Sequence, residues 1–418
     1  MKRLLNSVVP LSLKTSAYER LNRAKLERLL RAKKHFRKAN ENGIRRSARV
    51  PQGVNLVAYI RAEMGLGVAA RGMASALDAA RIPFNALNVE EGNYSRHTDY
   101  SWSHKEVRRS HYDITVVCVN PDNSFNLRTH VPTTILGDRY VIGYWFWELP
   151  ELPDDWLSEF EFTDEVWAAS RFIKDAVSAK SAAPVTLIPP VVQLNQGRTF
   201  SRGQLKLPER RFLFLAMFDT NSVLYRKNPL GVVRAFKAAF RSSDTSVGLV
   251  LKFNNPDYQQ PILNTLKEEI ADQQNIFVID RAMTREEVVS LISVSDCFVS
   301  LHRSEGFGLG PAEAMSLGKP AIITNWSGNT DYMTEHSSIP INYELVKLSN
   351  DYGPYKANQH WAEPDIEHAT YWMRRITQEP ELARDIGQRA QQTISSKFSP
   401  LAVGKLIQER LDQIRNNL

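Results

Sequence analysis

Residues 304–320 read SEGFGLGPAEAMSLGKP, a glycine-rich turn set between a strand-like run, DCFVSL (296–301), and a helix-like run from Ala312 to Leu317. That order, strand then glycines then helix, belongs to α/β proteins. The glycines at 306, 308 and 310 let the main chain approach a ligand closely. The helix start behind them offers free N–H groups and a partial positive charge. The pairing suits a diphosphate. Glu313, one helical turn in, has the reach to accept hydrogen bonds from vicinal hydroxyls such as a ribose diol. Glu305, just before the glycines, is placed to hold sugar hydroxyls or to face a reacting centre. A plainer reading makes Glu313 a charge that complements the helix dipole and the glycines ordinary turn residues.

Working outward, strands and helices alternate on both sides of a polar stretch at 193–210 (QLNQGRTFSRGQLKLPER), which reads as a linker. After it come RFLFLAMF (211–218), a helix over 228–240 with Pro229 suited to its first turn, VGLVLKF (247–253), NIFVID (275–280), DCFVSL and PAIIT (320–324). Before it come VNLVAYI (54–60), a helix from about Val68 to Ala80, IPFNALNV (82–89), DITVVCVN (113–120), YVIGYWFW (140–147), VWAAS (166–170) and PVTLIPPVV (184–192). Strands separated by helices imply parallel sheets with right-handed crossovers. The expected fold class is therefore α/β, with two Rossmann-like doubly wound domains in series, over residues 51–200 and 201–395. Such sheets bind ligands at the carboxyl ends of their strands.

The length of 418 residues also exceeds one ordinary hydrophobic core. Apolar residues at 43% and charged residues at 24% fit a soluble globular enzyme. The two cysteines, Cys118 and Cys297, lie in apolar strand-like runs and supply neither a disulfide framework nor a zinc site. No apolar run approaches the ~20 residues of a membrane-spanning helix. The opening MKRLLNSVVPLSLKTS is only loosely like a signal peptide, because Pro10 interrupts it and no cleavage site follows.

The net charge of +7 is concentrated in a basic leader, residues 1–50, which holds 15 Lys/Arg against three Glu, a local net of +12. The rest of the chain is therefore net acidic. Within the leader, Leu21, Leu26, Leu29, Leu30 and Phe36 make a rough helical stripe among the cations. Such a helix suits an anionic membrane surface, and a solvated, partly disordered arm is the alternative. Nucleic acid is not an expected partner, since no aromatic residues interleave the charges as stacking platforms.

The run E-G-F-G-L-x-x-x-E within 305–313 resembles the signature of retaining glycosyltransferases of the GT-B fold, family 4. FLFLAMFDTNSVLYRKNPLGVVRAFKAAF (212–240) resembles the opening of that family's nucleotide-binding domain. The closing FSP (398–400) and the helix after it are similar to the terminal helix, here 396–418, that returns to the N-terminal domain. The resemblance implies that Lys227 neutralises the donor diphosphate. The family often has an Arg directly after the first strand of this domain. Asp219 stands there instead, leaving Arg226 or Arg303 to supply the second cation. It further implies diphosphate contacts from the main chain of Gly306, Phe307, Gly308 and Leu309, a ribose contact from Glu313, and base contacts from Arg281, Ala282 and Met283, with Asn254 at another strand end.

In the first domain, Gly65-Leu66-Gly67 precedes a helix bearing Arg71. The resemblance implies two Rossmann-like doubly wound domains facing across a cleft, and in this fold a glycine turn there faces the donor phosphates across it. G-L-G-V-A-A also satisfies a dinucleotide pattern, with Glu90 or Glu91 as the acid, which keeps an NAD-dependent oxidoreductase in view. Four residues, Arg61 to Met64, separate strand from glycines, which is loose for that turn. Many family members carry a catalytic His near the segment GYWFWELPELPDDW (143–156), where this chain has Trp145, Trp147 and Glu148 instead. Glu148 is a candidate to hydrogen-bond an acceptor hydroxyl or act as a base, or else it anchors a turn. The tryptophans either stack on sugar or belong to the core. His302 and His336 read as loop residues without metal-ligand spacing, and no Asp-x-Asp occurs. The resemblance and that absence together imply metal-independent transfer with no cofactor beyond the nucleotide-sugar co-substrate.

The resulting expectation is a retaining hexosyltransferase with Glu305 and Glu148 as catalytic candidates. By analogy it prefers mannosyl transfer from GDP-mannose and also admits a UDP-type donor. The acceptor is a glycan or polyprenyl-linked glycan in surface polysaccharide assembly. The enzyme is cytoplasmic, with the leader available to the inner face of the membrane. A GT-B shell that binds glycan or nucleotide without turnover is the third alternative.

Overall fold

The computed structural model describes residues 11–41, 50–93, 95–109, 111–194, 197–220, 222–254 and 260–417. The first half opens with helix α1 (Leu11–Glu41). It continues through β1 (Val54–Ala58), α2 (Gly65–Ala79), β2 (Phe84–Asn88), β3 (Ile114–Cys118), α3 (Pro121–His130), α4 (Thr133–Leu136), β4 (Tyr140–Trp145), β5 (Glu165–Ala168), α5 (Arg171–Ser178) and β6 (Val185–Leu187). The strands form one six-stranded sheet in the order β2-β1-β3-β4-β5-β6, parallel at every pairing. β1 is buried along its whole length, as a strand covered on both faces must be.

The second half runs β7 (Phe212–Asp219), α6 (Leu224–Lys227), α7 (Pro229–Ala239), β8 (Val247–Asn254), α8 (Gln260–Ile270), β9 (Ile276–Ile279), α9 (Arg285–Val294), β10 (Cys297–Ser300), α10 (Leu309–Ser316), β11 (Ala321–Thr324) and β12 (Ile339–Ile341). These strands build a second parallel six-stranded sheet in the order β12-β11-β10-β7-β8-β9. The α/β class and the two doubly wound sheets agree with the sequence-based expectation. In each sheet the first strand lies between strands reached in opposite directions: β1 between β2 and β3, and β7 between β8 and β10. Connections leaving such a pair diverge and open a crevice at the carboxyl ends.

Two later segments cross back to the first half. β13 (Tyr343–Lys347) and β14 (His360–Pro364) pair antiparallel as a ribbon, and Leu348, Tyr355 and Trp361 from it are buried in the core of the first half. After α11 (Ile366–Gln378) and α12 (Pro380–Phe398), α13 (Pro400–Asn417) lays Val403, Ile407, Leu411 and Ile414 into the same core. Arg410 holds the buried Glu165 with two bonds, 2.8 and 2.7 Å, and Arg415 reaches Asp113 at 2.9 Å. The ribbon interrupts the strand–helix alternation and is absent from the sequence-based reading.

The leader is helical over 11–41, while residues 1–10 and 42–49 lie outside the described residues. Over residues 22–41 its apolar stripe is not left for a lipid surface; the Leu21 side chain lies outside the described residues. Leu29 is buried, and Leu26 and Leu30 are half-buried, against Val117, Leu136 and Val141 of the first half. Lys33, 1% exposed, ion-pairs with Asp164 and donates to the Arg139 carbonyl at 2.9 Å. Arg37 reaches the other Asp164 oxygen at 2.9 Å. Burial pulls the Lys33 ammonium down to about 8, and Asp164 opposes that shift. Arg23, Arg28, Arg31, Lys34 and Lys38 remain on the outer face. Among the described residues no helix is long and apolar enough to cross a membrane.

Asp164→Ala strands the buried Lys33 charge and should cost roughly 3 kcal/mol or more. The expected result is a lower melting temperature, together with easier proteolysis between α1 and the first sheet. A melting temperature equal to wild type would mean that α1 contributes nothing to the fold.

Candidate functional site

A cavity of about 460 Å³ lies between the carboxyl ends of the two sheets. Its walls come from both switch points. The first half contributes Met64, Gly65 and Leu66 at the start of α2, Asn120 and Asp122 at the start of α3, and Phe146, Trp147, Glu148 and Trp156 beyond β4. The second half contributes Arg226, Lys227, Glu305 to Pro311, and Pro354 and Tyr355 of the ribbon loop.

Local sequence explains how the cations are held. Asn228 takes a left-handed conformation (φ 51°), ending α6 after Lys227 and capping α7, whose first residue is Pro229. Its side chain accepts from the Gly231 N–H and donates to the Leu301 carbonyl at 2.9 Å, tying the cation turn to β10's end. Arg226, 4% exposed, donates to the Ser304 carbonyl at 2.7 Å and approaches Glu305 Oε2 at 3.1 Å. Lys227 Nζ lies 2.5 Å from Glu305 Oε1. Burial works against the Glu305 charge, but Lys227 and Arg226 outweigh it and hold this carboxyl well below the ordinary range. The glycines then turn the chain into α10. Gly308 has φ 83°, and a Cβ there would meet the Tyr332 hydroxyl at 2.7 Å.

Glu148 faces this group from the other sheet. Its Oε2 accepts from the Tyr355 hydroxyl at 3.0 Å, and its Oε1 lies 4.0 Å from Arg226. Ser304 donates to the Glu148 carbonyl, and Ser170 donates to the Gly306 carbonyl at 2.6 Å, so main chain of the two halves is joined at the site. Trp147 is both wall and core: it is 2% exposed and packs edge-on against Trp156. Trp145 is core alone, beside Trp156 and Phe160.

The cavity thus brings together Glu305, Glu148, Arg226, Lys227, Gly65, Gly306, Phe307, Gly308 and Leu309. Other expected residues lie elsewhere. Gly67 is not a wall; a Cβ there would sit 2.0 Å from the Ala62 carbonyl, so its role is close packing beneath α2. Arg303 turns away to Glu363 (2.5 and 2.8 Å) and to the Tyr225 carbonyl (2.6 Å), bracing the ribbon, so Arg226 is the second cation at the cavity. Glu313 is buried in α10, and its carboxylate is held by Arg285 from α9, with Nη1 at 3.2 Å, rather than lining the cavity. Arg281 pairs with Glu287 at 2.7 Å, Ala282 is exposed and Met283 is core. These three residues and Asn254 stand at the carboxyl ends of β9 and β8; the Asn254 side chain lies outside the described residues. Arg71 pairs with Asp99 at 2.9 Å and braces the Ile60 and Ala62 carbonyls, while Glu90 and Glu91 are exposed and off the cavity. His336 is exposed.

Asn120, Asp122, Trp156 and Tyr355 were not foreseen. The strand-end rule applied to PDN (121–123) would have found Asp122. Tyr355 carries no local signal, because its place depends on a ribbon folding back across the cleft. Among the described residues no three His, Cys, Asp or Glu side chains converge as a metal-ligand group.

His302 is fully buried behind Glu305. The Asn329 amide nitrogen donates to the Thr324 carbonyl, so its oxygen accepts from His302 Nε2 at 2.9 Å, and Nδ1 accepts from the Ser300 hydroxyl at 2.9 Å. That arrangement satisfies a neutral ring. Burial, against the pull of Glu305 and Asn329, lowers the imidazole to about 4.

With this geometry in place, the chain can be set beside known proteins. Residues 198–351 match the family model of group 1 glycosyl transferases. No curated protein matches the chain. Among solved structures, sucrose-phosphate synthase from Thermosynechococcus elongatus superposes with a TM-score of 0.64 at 15% identity, over 88% of this chain and 100% of that one. Anabaena HepE in complex with UDP and glucose gives 0.61 at 13% identity, over 87% and 100%. A glycosyltransferase from Rickettsia africae gives 0.61 at 14%, over 88% and 100%. Residues 198–351 are thus similar to group 1 glycosyl transferases, and the whole chain shares the two-domain GT-B fold with these proteins.

Because the unfolded imidazole (6.5) binds a proton that the native one refuses until about 4, stability should fall as pH drops through this window, by an order of 3 kcal/mol. Glu305, with its depressed carboxyl, adds a further loss only below its unfolded value of 4.5. Thermal melts of His302→Asn between pH 6.5 and 5 should show a flatter slope than wild type; an identical slope would contradict the buried neutral ring.

Proposed function

We propose that the protein is a retaining glycosyltransferase that moves a hexosyl group from a nucleoside diphosphate sugar to a hydroxyl of a glycan or lipid-linked acceptor. The observation that carries this reading is the meeting of Arg226, Lys227 and the α10 N-terminus around Glu305 in one cavity between two sheets. A diphosphate seated there competes with Glu305 for Lys227 and accepts from the amides of the α10 start. Glu305, released from Lys227, is free to accept from hydroxyls of the donor sugar. As the bond from C1 to the phosphate oxygen breaks, charge grows on that oxygen, and fixed cations and amides lower the barrier. The acceptor oxygen forms the new bond to C1, and its proton passes to the departing phosphate. Retention follows from the family-4 resemblance and places attack on the same face.

Glu148 lies across the cavity, where it faces both the donor sugar and an entering acceptor hydroxyl, which it orients. Glu313 serves the ribose diol by sharing its carboxylate with Arg285, and Arg281 to Met283 with Asn254 border the base. The complex of HepE with UDP and glucose favours a UDP-type donor, while GDP-mannose stays as the analogy-based choice. The chemistry uses no metal ion: the two cations and the helix start supply the charge. Polysaccharide assembly at the cytoplasmic face of a membrane fits a lipid-linked acceptor. Contact with anionic lipid would then be electrostatic, through the outer cations of α1, since its apolar face is covered over residues 22–41.

Titration calorimetry with UDP, GDP and ADP tests the reading: one of them binds, and Lys227→Ala weakens it by about tenfold or more, while the variant, which keeps Arg226 beside Glu305, stays folded with a lowered melting temperature. Glu313→Ala weakens the same nucleotide. If no nucleotide binds, the transferase reading fails; normal affinity in Glu313→Ala would remove the ribose role alone.

A further inference from the structure

Asp122 stands in the first turn of α3, beyond β3, and Glu148 lies just past the neighbouring β4. Asn120 ties these two strand ends together. Its amide donates to the Phe146 carbonyl and its oxygen accepts from the Phe146 N–H, both at 2.9 Å. Tyr355 holds Glu148 toward the cavity from the opposite side. The two carboxylates therefore line one wall of the cavity; Asp122 keeps an exposed face, and surrounding protein, with Glu148 adding, raises its carboxyl. Aromatic faces of Phe146, Trp147, Trp156 and Tyr355 complete this end.

Among the described residues the cavity is lined by three carboxylates, Asp122, Glu148 and Glu305, and by two cations, Arg226 and Lys227. Lys227 stands on the Glu305 side, and Arg226, 3.1 Å from Glu305, also lies 4.0 Å from Glu148, so both are within reach of one diphosphate. Arg226, though 4% exposed, keeps its Nε–H without an acceptor, which marks a place for an incoming anion. Once a diphosphate engages the cations, the opposite wall holds carboxylates and aromatic rings and no further cation. Carboxylates that accept from hydroxyls beside aromatic faces suit an uncharged sugar. A sugar with its own carboxylate would bring like charge to that wall with no cation left to meet it.

We propose, resting on the transferase reading above, that Asp122 and Glu148 make this end of the cavity selective for a neutral hexosyl group and closed to a uronyl group. Asp122 is a specificity-determining residue.

The test measures binding of two matched pairs by calorimetry, UDP-glucose with UDP-glucuronate and GDP-mannose with GDP-mannuronate, alongside free UDP and GDP. For the pair whose nucleotide binds, wild type should prefer the neutral member by roughly tenfold or more. Asp122→Asn and Glu148→Gln should each shrink that ratio several-fold. The ratio is the readout because any general gain in phosphate affinity on losing a negative charge cancels within the pair. Should Glu148→Gln fail to fold, the Asp122→Asn ratio decides. Equal binding of both members by wild type overturns the proposal while the transferase reading stands, as does discrimination that neither variant changes. Binding of neither nucleotide overturns both.

Discussion

The structure depends on a buried cluster of charge at the seam between two sheets: Arg226 and Lys227 from the turn after β7, and Glu305 from the turn after β10. Charges withdrawn from water are costly unless paired and hydrogen-bonded. Here each pays that cost only in the company of the others, since Arg226 also needs the Ser304 carbonyl and Glu305 has two cationic partners. β7 and β10 are neighbours in the sheet but distant in sequence, so the cluster exists only when the second sheet is assembled. A second anion at the same spot finds cations already oriented and an unmet donor on Arg226.

The first sheet completes this cluster rather than merely covering it. Glu148 approaches Arg226 from across the seam, Ser170 and Ser304 bond main chain on the opposite side, and the Arg171 amide donates to Asp331 at 2.8 Å. The ribbon and α13 both leave the second half and bury apolar side chains in the first. Such crossings bind the halves through apolar packing far from the cavity, while polar contacts near it set the distance between the walls. The same helix α13 answers a buried carboxylate, Glu165, that would otherwise stand unpaired in β5.

Much of the fold was legible because a parallel sheet buried on both faces demands continuous apolar runs, and those runs with their intervening helices are local features. The glycine turn at 306–310 and the Arg226-Lys227 pair were legible for the same reason: each lies at a strand end and needs only its neighbours to form. Less legible were the partners. Arg303 resembled a phosphate cation by position, yet Glu363 of the ribbon claims it. Glu313 had the reach for a diol, and only the structure shows that Arg285 of α9 also holds its carboxylate. Lys33 was one basic residue among many until Asp164, more than a hundred positions away, drew it inside.

By itself the sequence determined the two α/β halves, the strand ends that line the cavity and the acid–glycine–helix unit, since periodicity and turn chemistry act over a few residues. Only the tertiary structure decided which charges share a cavity, that Asp122 and Tyr355 join it, and that α1 spends its apolar face on the protein. Those outcomes follow from strand order and from folding-back segments, and a side chain's charge partner is chosen by proximity in space, which no local pattern encodes.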